Sequence, residues 1–248
     1  MPGKIRVTVW NEFRDEKRWP EILELYPGGI HAALGRMLEG CDDMEVTLST
    51  FWDEDQGLGE ERLQQTDVLI YYSHMLQREV DAARVERVIQ RVHEGMGLIL
   101  LHSALGSDLC KRLLGFYWKV PYREARETER VFVIEPSHPI ADGLGQYFEF
   151  PESEMYADAA QIPTPDEVVF LSWYAGGNAE RSGFTYRRGA GKIFCFTPGH
   201  AWYSVLNQPG YGMVLRNAVR WIRPPRNPYL PVEGPIGPIV SKEEEGFV

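Results

Sequence analysis

Three features of the sequence predict an α/β fold with a mostly parallel sheet. Short, nearly continuous apolar runs end in polar residues, as in Asp67–His74 (DVLIYYSH) and Gly97–His102 (GLILLH). Runs of that kind are typical of strands buried on both faces. Segments with helical apolar spacing lie between them, and a second block of alternating strands precedes a closing strand and helix. The middle block is expected to add antiparallel structure to the parallel part.

The first strand is Lys4–Trp10, in which polar residues alternate with β-branched and aromatic ones, and it delivers Asn11 to its carboxyl end. Residues 12–26 carry three aromatics and a run of charges and are expected to form a loop. Ile30, Ala33, Leu34, Met37 and Leu38 then repeat at helical spacing, which places His31 in a first helical turn. Residues 44–50 alternate as a second strand, and 67–74 form the third, ending in His74. Residues 79–94 make an amphipathic helix with Val80, Ala83, Val85, Val88, Ile89 and Val92 inward.

The central strand follows, and His102-Ser103-Ala104 opens the next helix. Ser103 suits a helix N-cap better than a nucleophile, because His102 and Leu105 stand where a nucleophile elbow needs glycine. Residues 126–135, 168–174 and 183–188 are expected strands, 137–144 a loop, 191–200 a last buried strand ending in His200, and 209–222 a final helix. The domain is expected to span 1–222, with a proline-rich extended arm over 223–248.

A formal charge of −10 argues against a phosphate-backbone binder, so no nucleic-acid partner is expected. No apolar stretch approaches the roughly 20 residues of a membrane span, and the N-terminus enters a strand pattern in place of a signal peptide. A cytoplasmic protein without membrane partners is the expectation. Cys41, Cys110 and Cys195 are too few and too widely spaced for a disulfide framework or a thiolate zinc site.

Four of the six histidines, His31, His74, His102 and His200, fall at the crevice end of this arrangement, where open α/β sheets bind ligands. A histidine closing a buried strand can also serve simply as its polar cap. Imidazoles converging on one crevice suit a divalent metal, zinc first, with His74, His102 and His200 as ligands, or else acid–base work. No HxH or HExxH spacing distinguishes the two. Glu154, with Glu152 nearby in an aromatic stretch, is a candidate partner carboxylate whose pKa apolar neighbours would raise. Trp202 and Tyr203 are among the aromatics able to stack on a sugar ring. With Asn11, His31 and Ser103 they complete the expected substrate-binding set.

The segments Leu100–Ala104 (LLHSA), Ser137–Leu144 (SHPIADGL), Glu152–Tyr156 (ESEMY) and Arg187–His200 (RRGAGKIFCFTPGH), followed by a helix ending RNAVRWI, resemble the ThuA-like (trehalose utilisation) family, in order, over about residues 4–222. That family belongs to the class I glutamine amidotransferase-like superfamily. The resemblance implies a flavodoxin-like three-layer sandwich and a role in disaccharide or keto-sugar catabolism by hydrolysis, elimination or isomerisation. It marks His102, His200 and Glu154 as recurrent polar positions. The elbow holds no cysteine, so nothing could attack a glutamine carboxamide and amidotransferase activity is not expected. A non-catalytic sugar-binding or regulatory role on the same fold is the alternative. A small sugar is the expected partner, with no nucleotide cofactor, and the C-terminal arm is a possible means of homo-oligomer formation.

Overall fold

The computed structural model describes residues 3–116, 118–158 and 162–224. Its strands are β1 (Ile5–Asn11), β2 (Met44–Thr50), β3 (Val68–Tyr72), β4 (Gly97–Leu101), β5 (Tyr122–Val133), β6 (Tyr147–Tyr156), β7 (Glu167–Tyr174), β8 (Ala179–Arg188) and β9 (Gly191–Phe196). They form one mixed sheet in the order β2-β1-β3-β4-β9-β8-β7-β5-β6. The pairs from β2 to β9 are parallel and those from β9 to β6 antiparallel. β9 is the seam, parallel to β4 on one side and antiparallel to β8 on the other.

The helices are α1 (Asp15–Arg18), α2 (Pro20–Leu25), α3 (Ile30–Arg36), α4 (Glu60–Gln64), α5 (Ala82–His93), α6 (Asp108–Leu114) and α7 (Pro209–Ile222). They cover both faces of the sheet. Because successive strand residues point to opposite faces, each parallel strand divides its apolar side chains between two cores. Ile70, Ile99, Phe194 and Phe196 pack with α3 and α7, whereas Leu69, Leu98, Leu100 and Ile193 pack with α5 and α6. β3 and β4 are buried at all five of their positions, which explains their unbroken apolar sequence.

Two expectations are corrected. Residues 12–26 form α1 and α2, not a loop. Each helix is too short to show a repeating apolar stripe, and burial of Ile22 and Tyr26 in the core, with Pro20 at the first helical position, holds α2. The helix after β4 starts later than expected, at Asp108. Its N-cap is Ser107, whose Oγ accepts the Cys110 N–H at 3.2 Å, and Ser103 lies in a preceding 3-10 turn. The closing helix α7 spans 209–222, as its apolar spacing predicts. The proline-rich arm lies, from residue 225 onward, outside the described residues. No helix among the described residues is long and apolar enough to cross a membrane.

Candidate functional site

Three parallel strands bring their histidines together at their carboxyl ends. His74 follows β3, His102 follows β4 and His200 follows β9. Their ring centroids lie 5.0 Å (His74–His200), 5.5 Å (His102–His200) and 5.7 Å (His74–His102) apart. His102 is fully buried and leaves β4 with φ of +53°, a left-handed conformation that few non-glycine residues adopt. That turn swings its ring into the centre. Gly199, at φ +135°, lets the chain before His200 pass close by, and a Cβ there would stand 3.5 Å from the Cβ of His102.

Each imidazole has a distinct hydrogen-bond environment, which assigns its proton. His74 Nδ1 lies 2.7 Å from Asp15 Oδ2. Burial opposes charge on both partners, yet their bond prevails, lowering the Asp15 pKa and raising that of His74. The bond thus favours an imidazolium facing a carboxylate. The His74 backbone is fixed by Glu12, whose carboxylate accepts the N–H groups of His74, Met75 and Leu76 at 2.6–2.9 Å and the Ser73 hydroxyl at 2.7 Å.

His102 Nδ1 lies 3.2 Å from the Thr197 carbonyl oxygen, which can only accept, so the proton is on Nδ1 and Nε2 carries a lone pair. The Tyr156 hydroxyl donates to Nε2 at 3.1 Å, and Ser103 Oγ lies 3.0 Å from that hydroxyl. Burial, with the neighbouring His200 and His74, holds the His102 pKa well below its ordinary value. His200 Nδ1 faces the Trp202 N–H at 3.3 Å and accepts it, which puts the proton on Nε2. Burial, with the charge of His74, pushes the His200 pKa down to about 3.

Glu154 completes the group from the antiparallel half. Its Oε2 is buried, makes no hydrogen bond, and lies 3.4 Å from His102 Nε2 and 3.9 Å from His200 Nε2. Burial pushes its pKa up to about 7. Beside the centre opens a cleft of about 430 Å³, lined by Glu124, Ala125, Arg126, Trp202 and Tyr203. Trp202 packs against Trp19 and Tyr203 against His200, and the Arg126 guanidinium lies over the Tyr203 ring.

Beneath the centre a buried polar belt crosses the sheet. Glu129 on β5 accepts the hydroxyls of Ser153 and Ser172, both at 2.6 Å, and of Tyr174 at 3.3 Å. Tyr174 also donates to Glu180 on β8 at 2.7 Å, and Thr197 Oγ1 donates to the same Glu180 oxygen at 2.8 Å. The belt ends beside Glu154 on one side and at the Thr197 carbonyl that orients His102 on the other. Burial pushes Glu129 up to about 7 and raises Glu180 well above its ordinary value.

Of the residues singled out from sequence, His74, His102, His200, Glu154, Ser103, Trp202 and Tyr203 are brought to one place. Asn11 and His31 are placed elsewhere. Asn11 is fully buried, donating to Glu16 Oε1 at 2.6 Å and accepting the Phe13 N–H at 3.0 Å, so it shapes the turn after β1. His31 packs edge-on against Phe13, at 5.2 Å between ring centroids. Asp15, Tyr156, Glu12 and the Glu129–Glu180 belt escaped the sequence reading. Tyr156 could have been found, since it is two residues from Glu154 on one strand and so points to the same face. Asp15 could not, because its segment carried no periodicity.

The fold and the centre define the class: an α/β protein with three imidazoles and a carboxylate at the carboxyl edge of its parallel strands. The trehalose utilisation (ThuA) family model matches residues 6–222, and the chain belongs to that family. Among solved structures it is similar to a putative ThuA-like protein from Parabacteroides merdae, with TM-score 0.66 and 13% identity over 89% of this chain and 90% of that one. A putative ThuA-like protein from Bacteroides uniformis gives TM-score 0.66 and 16% identity, covering 89% and 92%. A β-galactosidase from Bacillus circulans sp. alkalophilus shares the fold over 90% of this chain but only 32% of its own, with TM-score 0.54 and 12% identity. No curated protein matched.

Proposed function

We propose that this ThuA-family protein is an enzyme of carbohydrate catabolism that moves protons on a disaccharide or keto-sugar, by elimination, isomerisation or hydrolysis. The observation that carries the reading is the Glu154 carboxyl, its Oε2 without a hydrogen bond and turned toward two imidazoles, with a pKa of about 7. A group poised near neutrality can both take and return a proton, whereas His102 and His200, held far below their ordinary values, are weak bases. In this assignment Glu154 is the shuttle. His200 Nε2–H donates a hydrogen bond to a substrate oxygen, the Tyr156 hydroxyl holds His102 Nε2, and the His74 imidazolium stabilises the negative charge that develops when a proton leaves a carbon beside a carbonyl. Trp202 and Tyr203 offer apolar ring surface to a sugar face in the adjoining cleft. The order of the parallel strands, β2-β1-β3-β4-β9, supports the flavodoxin-like reading of the scaffold, and the continuity of the sheet supports a single domain over 1–222.

The test is turnover of a panel of disaccharides and their keto derivatives, followed by NMR. Glu154→Gln is expected to abolish turnover with an unchanged circular dichroism spectrum, because glutamine keeps the shape and loses the proton. Undiminished turnover in that variant would overturn the assignment.

A second reading is favoured by one observation: ligand atoms of His74, His102 and His200 all lie within 4.8 Å of one another. Asp15 and the Thr197 carbonyl hold Nδ1 of His74 and His102, the support that ligating imidazoles usually have. His200 fits less well, since the Trp202 N–H on its Nδ1 leaves the proton on Nε2. A divalent ion, zinc by preference, would be held by His74, His102 and His200, the last once its proton moves off Nε2, and would supply Lewis-acid polarisation of a substrate oxygen.

A further inference from the structure

The chain carries a second concavity, at the opposite end of the sheet from the imidazoles. It is a cleft of about 1200 Å³ between the turn joining β8 to β9 and the end of α7. β9 runs from this cleft, at Lys192, toward the other centre, at His200, so the two openings do not communicate along one edge. In a protein of formal charge −10, four cations line it, Arg187, Lys192, Arg220 and Arg223, and Asp142 is the one acidic residue among the described lining.

Their local bonds show which of these charges are already used. Arg220 is paired with Asp43 through two contacts of 2.9 and 3.0 Å. Lys192 Nζ donates to the Trp221 carbonyl at 2.8 Å and lies 4.5 Å from the Trp221 ring centroid, leaving further N–H groups for a ligand. Its pKa is lowered, by burial first and then by Arg187 and Arg223, against an opposing pull from Glu167. Arg187 and Arg223 are exposed and form no salt bridge among the described residues.

A neutral donor completes the wall. His138 is buried, and its Nδ1 accepts the Ile140 N–H at 3.1 Å, so its proton is on Nε2. That Nε2 is buried, with Glu167 Oε2 3.4 Å away.

We propose that this cleft binds a phosphate ester, a dianion held by Arg187, Lys192 and Arg223 with His138 at its wall. Crowded, like-charged cations gain most from a dianionic group that accepts several charge-assisted hydrogen bonds. The cleft is far larger than inorganic phosphate, which leaves room for the organic part of an ester.

The test is isothermal titration calorimetry of the full chain at low ionic strength with inorganic phosphate, pyrophosphate, glucose phosphate and glucose. Binding of the phosphate-bearing probes and not of glucose is expected, weakening as salt is added. Arg187 is exposed and free of salt bridges, so Arg187→Glu leaves the fold in place and is expected to weaken binding at least about tenfold. His200→Ala, at the other centre, is expected to bind as the wild type does. Absence of binding by every anion, equal affinity in Arg187→Glu, equal binding of glucose, or loss of binding in His200→Ala would each overturn the proposal. The last outcome would place the anion at the imidazole centre instead.

Discussion

Replacing Glu129 by glutamine tests the buried belt directly. Glu129 is fully buried, its partners are three hydroxyls, and no cation is among them. Burial therefore moves its pKa from 4.5 to about 7. At roughly 1.4 kcal/mol per pH unit that gap corresponds to about 3 kcal/mol. The sign follows from which state holds the proton more tightly. Below about pH 4.5 the carboxyl is neutral in both folded and unfolded chains and its full contribution to stability is present. As the pH rises toward about 7 the unfolded chain ionises first, so the folded state loses ground until its own carboxyl ionises.

Glutamine cannot ionise and lacks this loss. Melting curves collected between about pH 5 and about pH 8 should show the wild type losing stability more steeply than Glu129→Gln, with a difference approaching 3 kcal/mol. In a chain of 248 residues that is a relative shift of roughly 6–12 °C in Tm. Glu154 and Glu180 shift in the same direction, so the wild-type slope alone decides nothing. The difference between the two profiles is the measurement. Parallel profiles would refute the claim that Glu129 is held neutral by burial.

Other expectations concern single positions. Ser107→Ala removes the N-cap of α6 and should cost about 1 kcal/mol in urea denaturation, with little change in m-value. At Gly191 a Cβ would overlap the Val92 carbonyl oxygen and stand 2.9 Å from that of Met96, both rigid backbone, so Gly191→Ala should destabilise by about 1–3 kcal/mol and show in thermal melts. His102→Asn keeps a residue tolerant of the left-handed backbone while removing the imidazole, so turnover should be lost with the melting temperature nearly retained. Elemental analysis of protein purified without chelator or histidine tag should, on the metal reading, give stoichiometric zinc that is lost in His74→Ala and in His102→Asn. A metal-free preparation of full activity would remove that reading.

The parallel half was legible because burial on both faces writes itself into sequence as unbroken apolar runs. The ends of the first four strands could thus be placed to within a residue or two, and with them His74 and His102, whereas the last strand ends at Phe196, four residues before the expected His200. His31 was placed by the same logic: it does lie in the first turn of α3, with its ring edge-on to Phe13 and apart from the other three imidazoles. α1 and α2 were hidden since tertiary burial, not periodicity, makes them helical. The Ser103 assignment failed because the extra turn from His102 to Gly106 moves the cap to Ser107. The belt from Glu129 to Glu180 joins residues on different strands, and no local pattern announces that two glutamates will share one tyrosine hydroxyl.

The position of β6 has a consequence for how the chain can be divided. It is the outermost antiparallel strand, yet it supplies Glu154 and Tyr156 to imidazoles borne by β3, β4 and β9. The three imidazoles, Glu154 and Tyr156 span residues 74–200, so, on the proposed function, a growing chain has no assembled proton shuttle until its last strand emerges. Turnover is then a gauge of completed assembly. Two fragments separated in the loop before Tyr147 would each be silent on that reading, and would recover catalysis only by pairing β9 with β4 and inserting β5 between β7 and β6.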